Sequence, residues 1–379
     1  MGALVYSGLK HITREGSLLA ERGVQALSLI WALGIIPIVW LIGRRLIKNY
    51  EARVLSFLVF GTFAGWVTSA VMIDNDMAMG FWGSLALLLM VVLMQRKELP
   101  RWSAVAVLGM VIGVAVTMKA TASVMMGPAV VTILSRRWYY REKWMALLSR
   151  AGLLIIVWAV LAAPNYIRTY RETGYLVYHN DIQHPNPSVY AERWDYFSFR
   201  LPSILNRPFE LTPDKGDERS NASDYSFWSK IYVTWWRLPD WLPEEPDPLA
   251  ASSLYLLAFP ISIIGVLGFL LGVKRCGSEP GLFPVIGWWV IGMIGMFIGS
   301  WFLPTVSIGS FCHARFYIYA TGSVIAMLGL GFQFIMNSWP RFRIVLWIVV
   351  ILQAAAFWWL LMSGPYYGFQ NPWPVLLPP

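Results

Sequence analysis

Long apolar blocks, separated by short polar or charged turns, set the pattern of this chain. They run over residues 25–43, 54–73, 77–94, 103–118, 120–135, 145–163, 253–273, 281–303, 314–335 and 343–362. Each approaches or reaches the roughly 20 residues a helix needs to cross a bilayer. The pattern predicts an all-α polytopic membrane protein with about ten transmembrane helices. It lapses over 164–252, a segment rich in Pro, Asn, Asp and aromatic residues. That is too long for a simple connection. Its weak periodicity predicts small helices and loops resting on the membrane helices, as one large outer loop region. Within it, Phe227-Trp-Ser-Lys-Ile-Tyr-Val-Thr-Trp-Trp-Arg237 spaces aromatics as a helix does. A helix lying in the interface plane and a packed helix of the outer region fit it equally. The chain therefore divides into a bundle of six helices over 1–163, the outer region 164–252, and four further helices with an outer tail over 253–379.

Composition agrees. Hydrophobic residues make up 57% of the chain and charged ones 13%, with a mean hydropathy of +0.54, whereas a soluble domain carries roughly 25% charged residues. The net charge of +9 would suit nucleic acid if it were spread over one surface, but it is not. Arg44, Arg45, Lys48 and Arg53 follow the first block; Arg96, Lys97 and Arg101 the third; Arg136, Arg137, Arg141 and Lys143 the fifth; Lys274 and Arg275 the seventh; Arg341 and Arg343 the ninth. This is every second loop, the positive-inside pattern. The basic loops are assigned to the cytoplasm, beside anionic lipid headgroups, and the alternate turns to the periplasm or exterior of a bacterial inner membrane. Nucleic acid is excluded as a partner. Cys276 and Cys312 then fall on opposite sides, so no disulfide joins them, and no cysteine spacing suggests a metal site.

The same topology puts residues 1–24 outside, although they carry Lys10, Arg14 and Arg22 and no signal peptide. An upstream transmembrane helix preceding Met1 would resolve the conflict, and the natural protein is expected to be longer.

Candidate chemistry gathers on the outer side. Ionisable groups at membrane depth are costly and mark function by default. Asp74 and Asp76 lie in the turn Met72-Ile-Asp-Asn-Asp-Met77. Either suits a general base or a sugar-hydroxyl partner, and Asp76 equally suits a helix cap. Lys119 lies between two blocks of about sixteen residues, which span ~24 Å as helices, less than a ~30 Å hydrocarbon core. Its turn should therefore sit below the outer surface, where an ammonium wants an anion such as a lipid phosphate, with Thr121 and helix N–H groups as further donors. Snorkelling to the headgroups is the plainer alternative. His313 and Arg315 open the ninth block, and Arg168 follows the sixth. Arginine binds phosphate in bidentate fashion; tying the outer loop to the bundle is the plainer role for His313 and Arg315. Together these residues suit transfer from an anionic, lipid-embedded donor. His179, Asp181 and His184 resemble no known ligand set, so no metal or other cofactor is assigned.

Five segments, in order, resemble the polytopic glycosyltransferases of the C superfamily, in the branch of the protein O-mannosyltransferases and lipid A aminoarabinose transferases. They are Leu41-Ile-Gly-Arg-Arg-Leu46, Asn75-Asp76-Met-Ala-Met79, Val116-Thr-Met-Lys-Ala-Thr121, Pro164-Asn-Tyr-Ile-Arg-Thr169 and His313-Ala-Arg-Phe-Tyr317. The resemblance implies a polyprenyl-phosphate sugar as donor and transfer with inversion on the outer face, to a protein, lipid or glycan acceptor. It implies that Lys119 and Arg315 contact the donor phosphate and that Asp76 sits in the catalytic cavity. The family's principal catalytic acid lies in a first outer loop after a first helix, and neither is present in this numbering. Two other readings stay open. An O-antigen-type polymerase or ligase would use outer-loop arginines such as Arg193, Arg200, Arg207 and Arg219. A lipid flippase or transporter would show discontinuous helices and midplane charges.

Overall fold

Apolar blocks become helices whose ends fall where charge or a helix breaker interrupts the hydrophobic run. A computed structural model describes residues 18–63, 66–67, 70, 76–174, 235–236, 248–302 and 319–363, and no strand occurs among them. The α-helices among the described residues are α1 (Leu18–Leu46), α2 (Tyr50–Phe60), α3 (Asp76–Gln95), α4 (Trp102–Met118), α5 (Met126–Tyr140), α6 (Trp144–Thr173), α7 (Pro248–Arg275), α8 (Leu282–Phe302), α9 (Thr321–Ser338) and α10 (Arg343–Ser363). A 3-10 turn, Ala120–Met125, joins α4 to α5. Five stretches are long and apolar enough to cross a membrane: Gln25–Leu46, Asp76–Gln95, Trp144–Thr173, Ser253–Arg275 and Pro340–Trp359. Of these α3 is the most enclosed, with 67% of its apolar window buried against 28% in α6, α7 and α10. It is the central staff of the bundle, packed by α1, α4, α5, α8 and α9.

Several helices depart from the expected blocks: α1 runs over Leu18–Leu46 in place of 25–43, and the block expected over 120–135 opens as the 3-10 turn with α5 continuing to Tyr140. The second block, expected as one helix over 54–73, is interrupted after Phe60, with helix again at residues 66–67 and 70. Gly61 caps α2, and the chain tightens into three-residue turns, with Thr62 N–H donating to Val59 O (3.0 Å) and Phe63 N–H to Phe60 O (3.1 Å). The Thr62 hydroxyl shares its single proton between Val59 O (2.7 Å) and Gln353 Oε1 (2.9 Å) on α10. The sixth block, expected to end near 163, continues as helix through Pro164 to Thr173, where Gly174 ends it at φ 75°. A proline removes one helical hydrogen bond. The extension persists because Asn165 and Tyr166, just past the proline, anchor onto α4 and the 3-10 turn.

α7 and α9 cross with their backbones touching. A Cβ added to Gly268 would lie 1.7 Å from Met327 O, and one added to Gly331 would lie 2.2 Å from Ile264 O. Small residues at such a crossing let two helices approach where lipid gives no hydrophobic drive to associate.

Side-chain contacts gather the basic loops at one end. Arg45 Nη1 donates to Gln95 Oε1 (3.0 Å), linking the last turns of α1 and α3. Arg343 pairs with Glu51, and Tyr139 OH donates to Cys276 O (2.8 Å). The guanidinium of Arg136 is 0% exposed and donates to the carbonyls of Leu93, Arg96 (2.9 Å) and Glu98 (2.8 Å) while pairing with Glu142 (2.5 Å). Arg150 donates to Pro100 O (2.7 Å) and stacks over Trp102 at 4.5 Å. Arg136, read from the sequence as a loop charge near lipid headgroups, is thus a buried clamp on the end of α3. Cations at a helix C-terminus also complement its dipole.

Candidate functional site

α3 and α4 are antiparallel neighbours, so the first residue of one meets the last turn of the other at the end of the bundle away from the basic loops. Asp76 is the first residue of α3, where the helix dipole favours a carboxylate. Lys119 ends α4. Its N–H donates to Ala115 O (3.0 Å) and its carbonyl accepts from Ala122 N–H (2.9 Å). At φ −151° and ψ 120° its backbone is extended, which turns the chain into the 3-10 segment. The Lys119 ammonium donates to Asp76 Oδ1 as a salt bridge. Asp76 is 2% exposed, whereas 25% of the Lys119 side chain reaches the surface. Removing one partner of such a buried pair strands the other, at about 3–5 kcal/mol.

The extended part of α6 braces this turn. Asn165 Nδ2 donates to Val116 O (3.3 Å), and the Tyr166 hydroxyl hydrogen-bonds the Ser123 hydroxyl. Sequence reasoning took Arg168 from the segment Pro164-Asn-Tyr-Ile-Arg168 and passed over Asn165 and Tyr166. The available signal was that both are polar-tipped residues directly after the proline, in the same segment that supplied Arg168. Arg168 itself is 72% exposed and pairs at 3.6 Å with Glu172, four residues on along its own helix.

Of the expected site residues the structure therefore joins Asp76 to Lys119. Asp74, His313 and Arg315 lie outside the described residues. So do His179, Asp181, His184, Cys312 and the outer-region arginines. Among the described residues no group of three or more His, Cys, Asp or Glu is placed to hold a metal ion.

A second feature is an apolar cavity of about 610 Å³ between α7, α8 and α9, lined by Phe63, Trp235, Trp236, Phe259, Trp289 and Met327 among others. Trp236, from the outer region, is 3% exposed and donates its indole N–H to Ser262 Oγ (3.1 Å). Ser262 in turn donates to Ala258 O (2.9 Å). Trp235 and Trp236 pack edge-on against Phe63, with ring centres 5.2 and 5.3 Å away. Ile263 and Val266 border the cavity and are 53% and 60% exposed, so it opens on the apolar outer face of α7. Of the segment 227–237, these two described residues are seated against α7 and α8. No protein-family profile, curated protein or solved structure matches this chain.

Proposed function

We propose that this chain is an integral-membrane glycosyltransferase that moves a sugar from a polyprenyl-phosphate carrier to an acceptor hydroxyl. The observation that carries the reading is the Asp76–Lys119 pair, a carboxylate and an ammonium held together at the end of the bundle opposite the basic loops. Charged groups kept at membrane depth mark a functional site by default. In this reading the basic loops face the cytoplasm and the pair faces the periplasm or exterior of a bacterial inner membrane. Lys119 faces the carrier phosphate, and Arg315, His313 and Arg168 are the further candidate donors. Asp74 and Asp76 are the candidate carboxylates for the acceptor proton. The acceptor oxygen forms a bond to the anomeric carbon as the bond from that carbon to the phosphate oxygen breaks. The hydroxyl proton passes to a carboxylate, and the lipid phosphate leaves with the electron pair. The aromatic-lined cavity supports the reading, since its apolar walls and its opening on the face of α7 suit a polyprenyl tail.

The test is release of decaprenyl phosphate from a decaprenyl-phosphate-linked sugar by the full chain in nanodiscs, with native membranes supplying acceptors. Lys119→Ala should cut release about 100-fold or more, as loss of a transition-state charge donor does, in protein that still unfolds cooperatively but at a lower melting temperature, because the buried Asp76 loses its cation. No release from the parent protein across several carrier-linked sugars would sink the proposal. A lipid flippase is the second reading. It draws on the interruption of α2 at Gly61 beside the buried Gln353, because broken helices are a transporter feature. Lipid scrambling that survives Lys119→Ala, with no sugar release, would favour it.

A further inference from the structure

The two members of the pair differ greatly in access. Asp76 is 2% exposed and its carboxylate faces a cation. A general base must come within hydrogen-bond reach of the hydroxyl it deprotonates, and an acceptor has almost no path to this one. Lys119, with 25% of its side chain exposed, is the member an incoming anion can reach. A lysine stem is flexible and gives up rotamer entropy when it is fixed. Here the backbone leaves α4 in an extended conformation, so the helix does not aim the ammonium. The carboxylate across the gap does. Asn165 and Tyr166 lock the turn from the other side, and Asp76 sets where Nζ points.

We infer that Asp76 is a positioning residue that holds the Lys119 ammonium toward the phosphate of a polyprenyl carrier, and is not the base. The inference rests on the transferase reading and refines it, because the acceptor proton then passes to a different carboxylate. The two possible roles of Asp76 differ in sign. A carboxylate beside a phosphate site repels the phosphate, so neutralising it by charge alone should tighten binding. Neutralising a carboxylate that aims the binding lysine should loosen it.

The experiment measures binding of decaprenyl phosphate to the full chain in phosphatidylcholine nanodiscs, with decaprenol as the uncharged control. Phosphatidylglycerol and inorganic phosphate serve as competitors. Lys119→Ala should weaken binding about tenfold, the worth of one charge-assisted hydrogen bond. Asp76→Asn should weaken it by about three- to tenfold on the same grounds, and Asp76→Glu should recover part of the loss. Binding to Asp76→Asn as tight as to the parent, or tighter, while Lys119→Ala is impaired, would overturn the positioning role and leave the transferase reading standing. Unchanged binding in Lys119→Ala would instead overturn the carrier-phosphate reading itself. Displacement by phosphatidylglycerol or inorganic phosphate at equal concentration would overturn the polyprenyl carrier as ligand. Should Asp76→Asn lose its thermal transition, the double variant Asp76→Asn/Lys119→Ala, which strands neither charge, decides: binding equal to that of Lys119→Ala supports the role, and tighter or weaker binding overturns it.

Discussion

Gln333 and Gln353 are both buried, at 7% and 0% exposure, and do opposite things. Gln333 Oε1 on α9 accepts the backbone N–H groups of Lys48 (2.8 Å) and Asn49 (2.9 Å), just before α2 begins. The N–H groups around a helix start lack partners within the helix, and this amide supplies one from 284 and 285 residues away in sequence. Gln353 accepts from Thr62, but its Nε2 has no partner among the described residues. Gln333→Ala should therefore lower stability by about 1–3 kcal/mol, the cost of orphaned buried donors. Gln353→Leu should leave stability unchanged or raise it, since Thr62 keeps its bond to Val59 O. Thermal unfolding of both variants in one detergent checks the pair, and a destabilised Gln353→Leu would contradict the account. The difference between the two amides was not legible in the sequence. An amide within an apolar block says nothing of which distant backbone it will meet. Asp76 and Lys119 were legible singly, because an ionised group in an apolar run is expensive wherever it points. Their pairing was not.

At the level of elements, the α7–α9 crossing sets the packing of the second half. Gly268→Ala puts a methyl group into the Met327 carbonyl, a backbone atom that cannot swing aside. The helices must part, with a cost of about 1–3 kcal/mol. Gly152, on α6, has nothing within 4 Å of its would-be Cβ. Gly152→Ala should stabilise by about 0.5–1 kcal/mol through helix propensity alone. Melting temperatures moving in opposite directions would support the crossing, and equal shifts would refute it. The apolar blocks predicted helices well at α3, α4 and α10, where charge or proline bounds the run on the basic side. They misjudged α2 and α6. A glycine in an apolar run leaves helix and break close in energy, so contacts with α10 decide. A proline near the end of a run permits continuation when α4 and the 3-10 turn hold the residues after it.

For the whole molecule, the structure gives the positive loops a common place by contacts that cross between helices. Part of that charge works inside the protein: Arg136 closes the end of α3, and Arg150 holds the Pro100 carbonyl. The remainder is available to fix orientation. Cys276 lies at this end, just past α7, and tests the orientation directly. With Cys312→Ser removing the second thiol, a membrane-impermeant maleimide should label the chain only after cells are permeabilised. Labelling in intact cells would invert the assignment and put the Asp76–Lys119 pair inside.

Helix positions, the lipid-facing composition and the segregation of positive charge were readable from one dimension, because each depends on residues close together in the chain. Hydrophobic length sets a span, and charge at its ends sets its direction. The pairing of Asp76 with Lys119, the bracing by Asn165 and Tyr166, the buried use of Arg136 and the cavity between α7, α8 and α9 depend on which helices become neighbours. That choice is made by shape, where glycines let backbones touch and where one polar atom finds another across the bundle. Local pattern carries no trace of it.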